Sequence, residues 1–218
     1  SFYTHRWFED EDNEFLTMVQ GRLISAESIL TLQREKKFIK DDKHGDKSIL
    51  NELTDVHLEW AEITRIENLD VVPACSSLYL QGNSLSKIEN LSPLASQLVF
   101  LALQHNQIER VESLLQCSQL QFLDMSHNKI ETLDYQELPN TLAIVLFVGN
   151  ACTNQNNYRQ EIISRCPDMH EIDNLAVDQV HQNTEQRLSE QVKQQHEVEA
   201  FASGSLKIMA AMNDVKSR

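Results

Sequence analysis

Four side chains near the middle of the chain are of the types that chemistry needs. His105 and His127 are imidazoles, Asp124 is a carboxylate, and Ser126 is a hydroxyl next to His127. Two imidazoles and a carboxylate are metal ligands. A serine, a histidine and an aspartate are the parts of a hydrolytic triad. The spacing supports neither use. No third soft ligand joins the two histidines. Asp124, Ser126 and His127 fall within one short stretch, with no Gly-x-Ser-x-Gly elbow and no evident oxyanion donors. The chain has five glycines, all scattered, so no phosphate-cradling loop is present either. The reading is a protein with no catalytic residue, no metal, no cofactor and no small-molecule substrate. The informative quantity is the interval between His105 and His127, which is 22 residues.

That interval belongs to a ladder. Leu53, Val56, Leu58, Ala61 and Ile63 are followed by Cys75, Leu78, Leu80, Asn83 and Leu85. Leu98, Leu101, Leu103, Asn106 and Ile108 come next, then Leu120, Leu123, Met125, Asn128 and Ile130, and last Leu142, Val145, Phe147, Asn150 and Cys152. Equivalent positions Leu58, Leu80, Leu103, Met125 and Phe147 step by 22, 23, 22 and 22 residues. A fixed period in the twenties with an LxxLxLxxNxL ladder is the signature of a leucine-rich repeat solenoid. The fold class is therefore α/β: a parallel concave sheet, short convex limbs, a helical C-terminal cap, and flanking N- and C-terminal helices. Within each repeat the ladder residues point inward and the residues between them point to the concave face. The Asn at the ninth position turns the chain, and its amide can bond backbone groups of adjacent turns. Ala61 replaces it in the first copy, where a terminal repeat has only one neighbour.

The return limbs repeat as well. Ile66-Glu67-Asn68-Leu69 matches Ile88-Glu89-Asn90-Leu91 and Val111-Glu112-Ser113-Leu114, while Tyr135 and Pro139 break the match in the fourth limb. Limbs this short suit a turn or a 3₁₀ coil rather than an α-helix.

The outward residues fall in columns. The third position gives Asp55, Ser77, Phe100, Phe122 and Ile144. The fifth gives His57, Tyr79, Ala102, Asp124 and Leu146. The eighth gives Trp60, Gly82, His105, His127 and Gly149. Neighbouring strands lie about 4.8 Å apart, so residues of one column sit side by side. An apolar stripe of Phe100, Phe122, Ile144, Leu146 and Val148, with Tyr79, Trp60, His105 and His127 beside it and Asp55, Glu59 and Asp124 around it, is the pattern of a protein-binding surface. The candidate partner-binding residues are Trp60, Tyr79, Phe100, His105, Phe122, Asp124, His127, Ile144 and Leu146. The competing reading is that the chain's own N-terminal arm or tail covers this face.

Residues 1–50 read as an N-terminal helical arm. It opens with Phe2, Tyr3, Trp7 and Phe8, which either anchor a partner or pack on the first repeat. A first helix follows Asn13, and a second starts near Ser25 or Ser28 with Ile29, Leu32 and Ile39 on one side. The polar run Asp41–Lys47 reads as a loop or hinge. Residues 51–153 are the repeats. Residues 154–175 form a cap, with a helix from Tyr158-Arg159 to Cys166-Pro167 and then Ile172-Asp173, covering an edge that would otherwise be sticky. Residues 176–218 form an extended helical tail with a thin stripe of Val177, Val180, Thr184, Leu188 and Val192. Past Ser203-Gly204 lies a second patch of Leu206, Ile208, Met209 and Met212. A tail that thin does not fold alone; it reads as a partner-bound helix or a solvated tail.

The chain has 218 residues and a net charge of −14. Residues 51–173 carry 17 acidic and 6 basic side chains, so the acidity sits on the repeats. An acidic solenoid repels phosphate backbones, which argues against a nucleic-acid partner. No run of 18 apolar residues and no leader pattern is visible, so no membrane role is expected; Ser1 is not a Met, which leaves open what precedes it. The four cysteines include no C-x-x-C pair, and Cys75 and Cys152 occupy ladder positions, which suits a reducing cytosol.

The 22-residue repeats with I-x-x-I-E-N-L limbs, and the Tyr158-Arg159, Pro167 and Ile172-Asp173 segment, resemble the short subclass of leucine-rich repeat proteins. That subclass includes a phosphatase regulatory protein and an axonemal dynein light chain. The stretches Ser77–Asn83, Leu120–Leu133 and Gly149–Glu161, above all Cys152-Thr153-Asn154-Gln155 before Tyr158-Arg159, resemble a leucine-rich repeat family of ciliated cells. The resemblance spans residues 50–175. It implies a non-enzymatic scaffold or adaptor of the cytoskeleton in motile cilia and sperm flagella. Such a protein would sit on the axoneme, plausibly at radial spokes or doublets, with other axonemal proteins as partners. The other implied role is a regulatory subunit of a cytosolic enzyme such as a protein phosphatase.

Overall fold

The computed structural model describes residues 24–36, 38, 45–191 and 193–195. The expected helix after Asn13, the aromatics Phe2 to Phe8, Ile39 and the Leu206–Met212 patch lie outside the described residues. The chain divides into two units, Ser1–Asn174 and Leu175–Arg218.

The first unit is a parallel solenoid. Strands β1 (Asp55–His57), β2 (Ser77–Tyr79), β3 (Phe100–Ala102), β4 (Phe122–Asp124), β5 (Ile144–Leu146) and β6 (Glu171–Ile172) pair in chain order. The register is in phase: Val56 faces Leu78, Leu78 faces Leu101, Leu101 faces Leu123, and Leu123 faces Val145. These middle residues are fully buried, and the residues on either side of them point out of the core. Strands β1 to β5 are each three residues long because a 22-residue turn must also descend the convex side. There the chain forms 3₁₀ turns at Leu69–Val71, Ser92–Leu94 and Tyr135–Glu137, as short limbs require.

The ninth-position asparagines are buried rungs. Asn106 Nδ2 donates to the carbonyls of Leu80 and Leu103 (2.9 and 3.0 Å), and its Oδ1 accepts from Leu85 N–H (3.0 Å). Asn128 and Asn150 repeat this pattern one and two turns later. A buried carboxamide is stable here because its donors and its acceptor are satisfied by backbone that a flat strand would leave unpaired. Where Ala61 takes the place of the first rung, Asn83 Oδ1 accepts from both Ala61 and Ile63 N–H, at 3.0 Å each. The limb residues Asn68, Asn90 and Ser113 adopt left-handed backbone, and Asn90 Nδ2 donates to Ile66 O, so the limbs too are tied turn to turn.

Helix α1 (Ala26–Glu35) begins at Ser25, whose hydroxyl accepts from Ser28 N–H while the Ser28 hydroxyl accepts from Ser25 N–H. This reciprocal cap fixes the start that the sequence suggests. Ile24, Ile29, Leu30 and Leu32 are buried. The helix lies against the first turn: Gln33 Nε2 donates to His57 O (2.8 Å), and Lys36 Nζ donates to Glu59 O (3.1 Å). The polar run after it needs a correction. The loop does not reach Lys47, because helix α2 (Asp46–Glu52) starts one residue earlier. Only Leu50 is buried in it, so no apolar stripe announces it, and Asp46 in its first turn pairs with Arg34 at 2.7 Å.

At the far end, Ala151–Asn154 coils into a 3₁₀ turn, and helix α3 (Tyr158–Arg165) follows as the cap. Ile162 and Tyr158 are buried, and Asp173 collects the cap's polar groups. The second unit opens with the extended pair Leu175–Ala176 and is helical over 177–191 and 193–195.

Candidate partner-binding face

Two files of rings cross the outward side of the sheet. The first runs from Phe38 to His57, Tyr79, Phe100 and Phe122, with centroid separations of 3.9, 4.2, 4.9 and 4.2 Å. Phe100 and Phe122 are nearly parallel, 7° apart, because the in-phase register places them directly opposite. The file steps once, from the third-position residues Phe122 and Phe100 to the fifth-position residues Tyr79 and His57, and ends at Phe38, just beyond α1. Ile144 and Leu146 extend it over β5, half-buried, and Asp124 stands beside Leu146. Ala102, in the same outward column, is buried beneath its larger neighbours.

The second file is Trp60, His105 and His127. His105 and His127 stack at 4.6 Å and 5°, and Trp60 approaches His105 at 6.3 Å. Trp60 is 70% exposed. Gly82 lies between Trp60 and His105 in the column, and its missing side chain makes the room: a Cβ there would fall 2.3 Å from Trp60 Cδ2. Gly149 leaves the same room for His127. All five eighth-position residues are left-handed, with φ of +54° to +80°. The position is thus a turn required by the repeat as well as a point of display. For Trp60, His105 and His127 the conformation is one that non-glycine residues seldom adopt.

The structure brings the nine sequence-derived residues onto one face as two adjoining files, Trp60–His105–His127 on one side and Tyr79–Phe100–Phe122 with Ile144, Leu146 and Asp124 on the other. Sequence reasoning missed Phe38, which is 54% exposed and caps the first file. It also missed Gln81 and Gln104 of the seventh position, whose other residues are Glu59, Ser126 and Val148. Their backbone carbonyls are used, since Trp60, Gly82, His105 and His127 N–H donate to Gln81, Gln104, Ser126 and Val148 O. Their side chains are less well served. Glu59 Oε1 meets Lys36 Nζ at 2.9 Å and His57 Nδ1 at 3.4 Å. Glu59 Oε2, Gln81 Oε1 and Gln104 Oε1 are buried without a hydrogen-bond partner. The signal was available, since three acceptors recur at one position of the repeat, but the residues beside them drew the attention.

The face is electronegative. Burial, then Asp55 and Glu59, push the Tyr79 phenol up from its ordinary pKa. Asp124 Oδ1 accepts from Ser126 N–H at 2.9 Å, so this carboxylate is held by the backbone. Ser126 is buried and His127 is exposed. Among the described residues no three His, Cys, Asp or Glu side chains gather in a geometry for a metal. The four cysteines are buried and unpaired; burial pushes Cys75 up to about 12 and Cys117, Cys152 and Cys166 up to about 11. Among the described residues no helix is long and apolar enough to cross a membrane.

Residues 96–140 match the family described as Leucine Rich repeats (2 copies). Over 160 residues the chain is 42% identical to leucine-rich repeat-containing protein 46 of Macaca fascicularis, a match that covers 72% of this chain and 49% of that one. The chain thus spans about half the length of the curated relative it matches. A chain in the crystal structure of the Drosophila melanogaster SNF/U2A' complex is similar in fold, with a TM-score of 0.53 and 25% identity, covering 61% of this chain and 79% of that one.

Proposed function

Taking the chain as a leucine-rich repeat protein homologous to leucine-rich repeat-containing protein 46, we propose that it is a non-enzymatic scaffold or adaptor that holds other proteins on its concave face. Its place is the axoneme of cilia or flagella, within the cytoplasmic cytoskeleton and in association with radial spokes. The observation that carries the binding role is the five-ring file from Phe38 to Phe122, which runs from the segment after α1 across four strands and remains part-exposed. Rings stacked this regularly present a large, rigid, low-entropy surface, the kind that supplies hot spots at interfaces. The axonemal placement rests on the resemblance of Gly149–Glu161 to a family of ciliated cells.

The test is the pair Phe100→Ala and Phe122→Ala in the full chain, expressed in ciliated cells. Both residues stand outside the repeat core, whose buried neighbours Leu101 and Leu123 are untouched. The expected result is an intact fold and release from the axoneme. Retention of the double variant at wild-type levels removes the concave face from the account. Stoichiometric recovery of a phosphatase catalytic subunit from cells without cilia would instead support a regulatory-subunit role.

A further inference from the structure

Between α1, α2 and the convex turn Leu69–Val71 lies a cleft of about 880 Å³. Ala26, Leu30, Leu50 and Val71 supply its apolar lining. Leu30 and Leu50 are almost fully buried, whereas the charged Glu27, Arg34, Lys47 and Asp70 are exposed, so an apolar floor has a polar rim. Among the described residues none of β1 lines the cleft, which is therefore separate from the ring files. We infer that this cleft is filled by the chain's own residues 14–20, laid antiparallel to α1 as a helix. The cap over the first repeat is then a pair of helices with α2 beside them, and a segment seated there does not also cover the concave face.

The place where the described chain begins selects the occupant. Ile24 is fully buried, and its carbonyl accepts from Asn68 Nδ2 at 2.6 Å. Asn68 immediately precedes the turn whose Asp70 and Val71 line the cleft, and Ala26, two residues after Ile24, lines it too. The segment before Ile24 is thus tethered at the mouth of the cleft. A short tether gives it an effective concentration in the millimolar range, which favours it over a separate chain. Its sequence fits the space. Phe15, Met18 and Val19 fall at the i, i+3 and i+4 positions of a helix, with Leu16 beside them. Gly21 is placed to end that helix and leaves 21–25 as the short connection of an αα-hairpin. Residues 14–20 as a helix span about 10 Å, the same rise that separates Glu27 from Arg34 along α1. The charges run in the matching order. Antiparallel pairing brings Arg22 toward Glu27 and Asp70 at the near end, and Glu14 toward Arg34 at the far end. Asp46 pairs with Arg34 at 2.7 Å, which places the neighbouring Lys47 at that far end as well.

The test uses the 218-residue chain. Val71→Asp alters a half-buried residue of the cleft, and Val19→Asp alters the segment. Urea denaturation of each single variant and of the double variant closes a thermodynamic cycle. Docking predicts a coupling of roughly fivefold or more in the unfolding equilibrium constant, as for residues in contact. Additive effects overturn the inference. Coupling of Val71→Asp to Ile39→Asp in place of Val19→Asp gives the cleft to the loop after α1, and also overturns it. A second readout does not depend on stability. Met18→Cys with Asn51→Cys, on the α2 wall, is oxidised by copper phenanthroline in dilute solution. The control is Met18→Cys with Gln107→Cys, an exposed site two turns along the solenoid. The native thiols are buried and do not compete. A disulfide within one chain, formed by the first pair and not by the control, upholds the docking. A disulfide between two chains assigns the cleft to a second copy and overturns it. Equal reaction of both pairs, or of neither, puts residues 14–20 outside the cleft and overturns it too.

Discussion

Asp173 Oδ1 accepts the backbone N–H of Phe147 at 2.8 Å. In the four preceding repeats the equivalent N–H, of Leu58, Leu80, Leu103 and Met125, donates to a carbonyl of the next strand. At Phe147 a side-chain carboxylate takes the place of that carbonyl. The same group, with a side chain 3% exposed, meets Arg159 Nη2 at 3.1 Å and Tyr158 Oη at 3.4 Å. One carboxylate therefore ends the ladder and fastens α3 to it.

Replacing Asp173 by Ala should cost about 3 kcal/mol, because it strips a buried backbone donor and the part-exposed Arg159 guanidinium of the carboxylate they share. Asp173→Asn, which keeps an oxygen for Phe147, should lose less. Urea denaturation followed by circular dichroism measures both. Equal loss in the two variants would mean that the charge on Asp173 matters and its bond to Phe147 does not.

Asn128→Ala removes two donations, to Leu103 O and Met125 O, and the acceptor of Ile108 N–H. A loss of about 3 kcal/mol is expected for three buried backbone groups left without partners. Asn83 accepts from two N–H groups and donates to two carbonyls, so Asn83→Ala should lose at least as much. A shift in denaturation midpoint for Asn128→Ala no larger than that of a surface substitution would refute the rung assignment.

Gly82→Ala places a methyl group 2.3 Å from the Trp60 ring and puts a side chain at φ +70°. The expected result is a loss of about 1 kcal/mol from the backbone alone, together with displacement of the indole. In a Trp7→Phe background Trp60 is the remaining tryptophan, so its acrylamide quenching and emission maximum report its movement. Unaltered emission would show that the ring does not rest on Gly82.

The buried thiols set an alkaline limit. Their folded pKa values, about 12 for Cys75 and about 11 for the other three, lie above the ordinary 9.0. Between those values the unfolded chain releases protons that the folded chain keeps. The folded state therefore has its full advantage below pH 9 and loses it as pH rises toward 11 and 12. Denaturation midpoints should fall over that range, and alkylation by iodoacetamide at pH 8 should be slow until urea unfolds the chain. Rapid labelling of native protein would contradict the burial.

The ladder, its period and the asparagine rungs were legible in the sequence because a solenoid repeats one local solution, and each copy votes for the same geometry. The column arithmetic that placed Phe100 opposite Phe122 holds for the same reason. What escaped was whatever happens once. Phe38 stacks on His57 from outside the repeat, and nothing in its spacing says so. Helix α2 buries only Leu50, too little for a periodicity. The left-handed turn at Trp60, His105 and His127 escaped because only Gly82 and Gly149 advertise a positive φ, and the three rings beside them look like ordinary display residues. Gln81 and Gln104 were passed over because an amide in a surface column is unremarkable until its oxygen proves to be buried.

The rungs also make copy number adjustable. Each carboxamide joins its own turn to the turn before it and reaches no further: Asn106 spans Leu80 to Leu103, and Asn128 spans Leu103 to Met125. The specialised parts, Lys36 with Gln33 at one extremity and Asp173 with Arg159 at the other, touch only the terminal turns. A whole 22-residue unit could be spliced in or out of the interior with every junction still matched. The binding surface would lengthen or shorten by one ring at a time, like a ruler graduated in single turns.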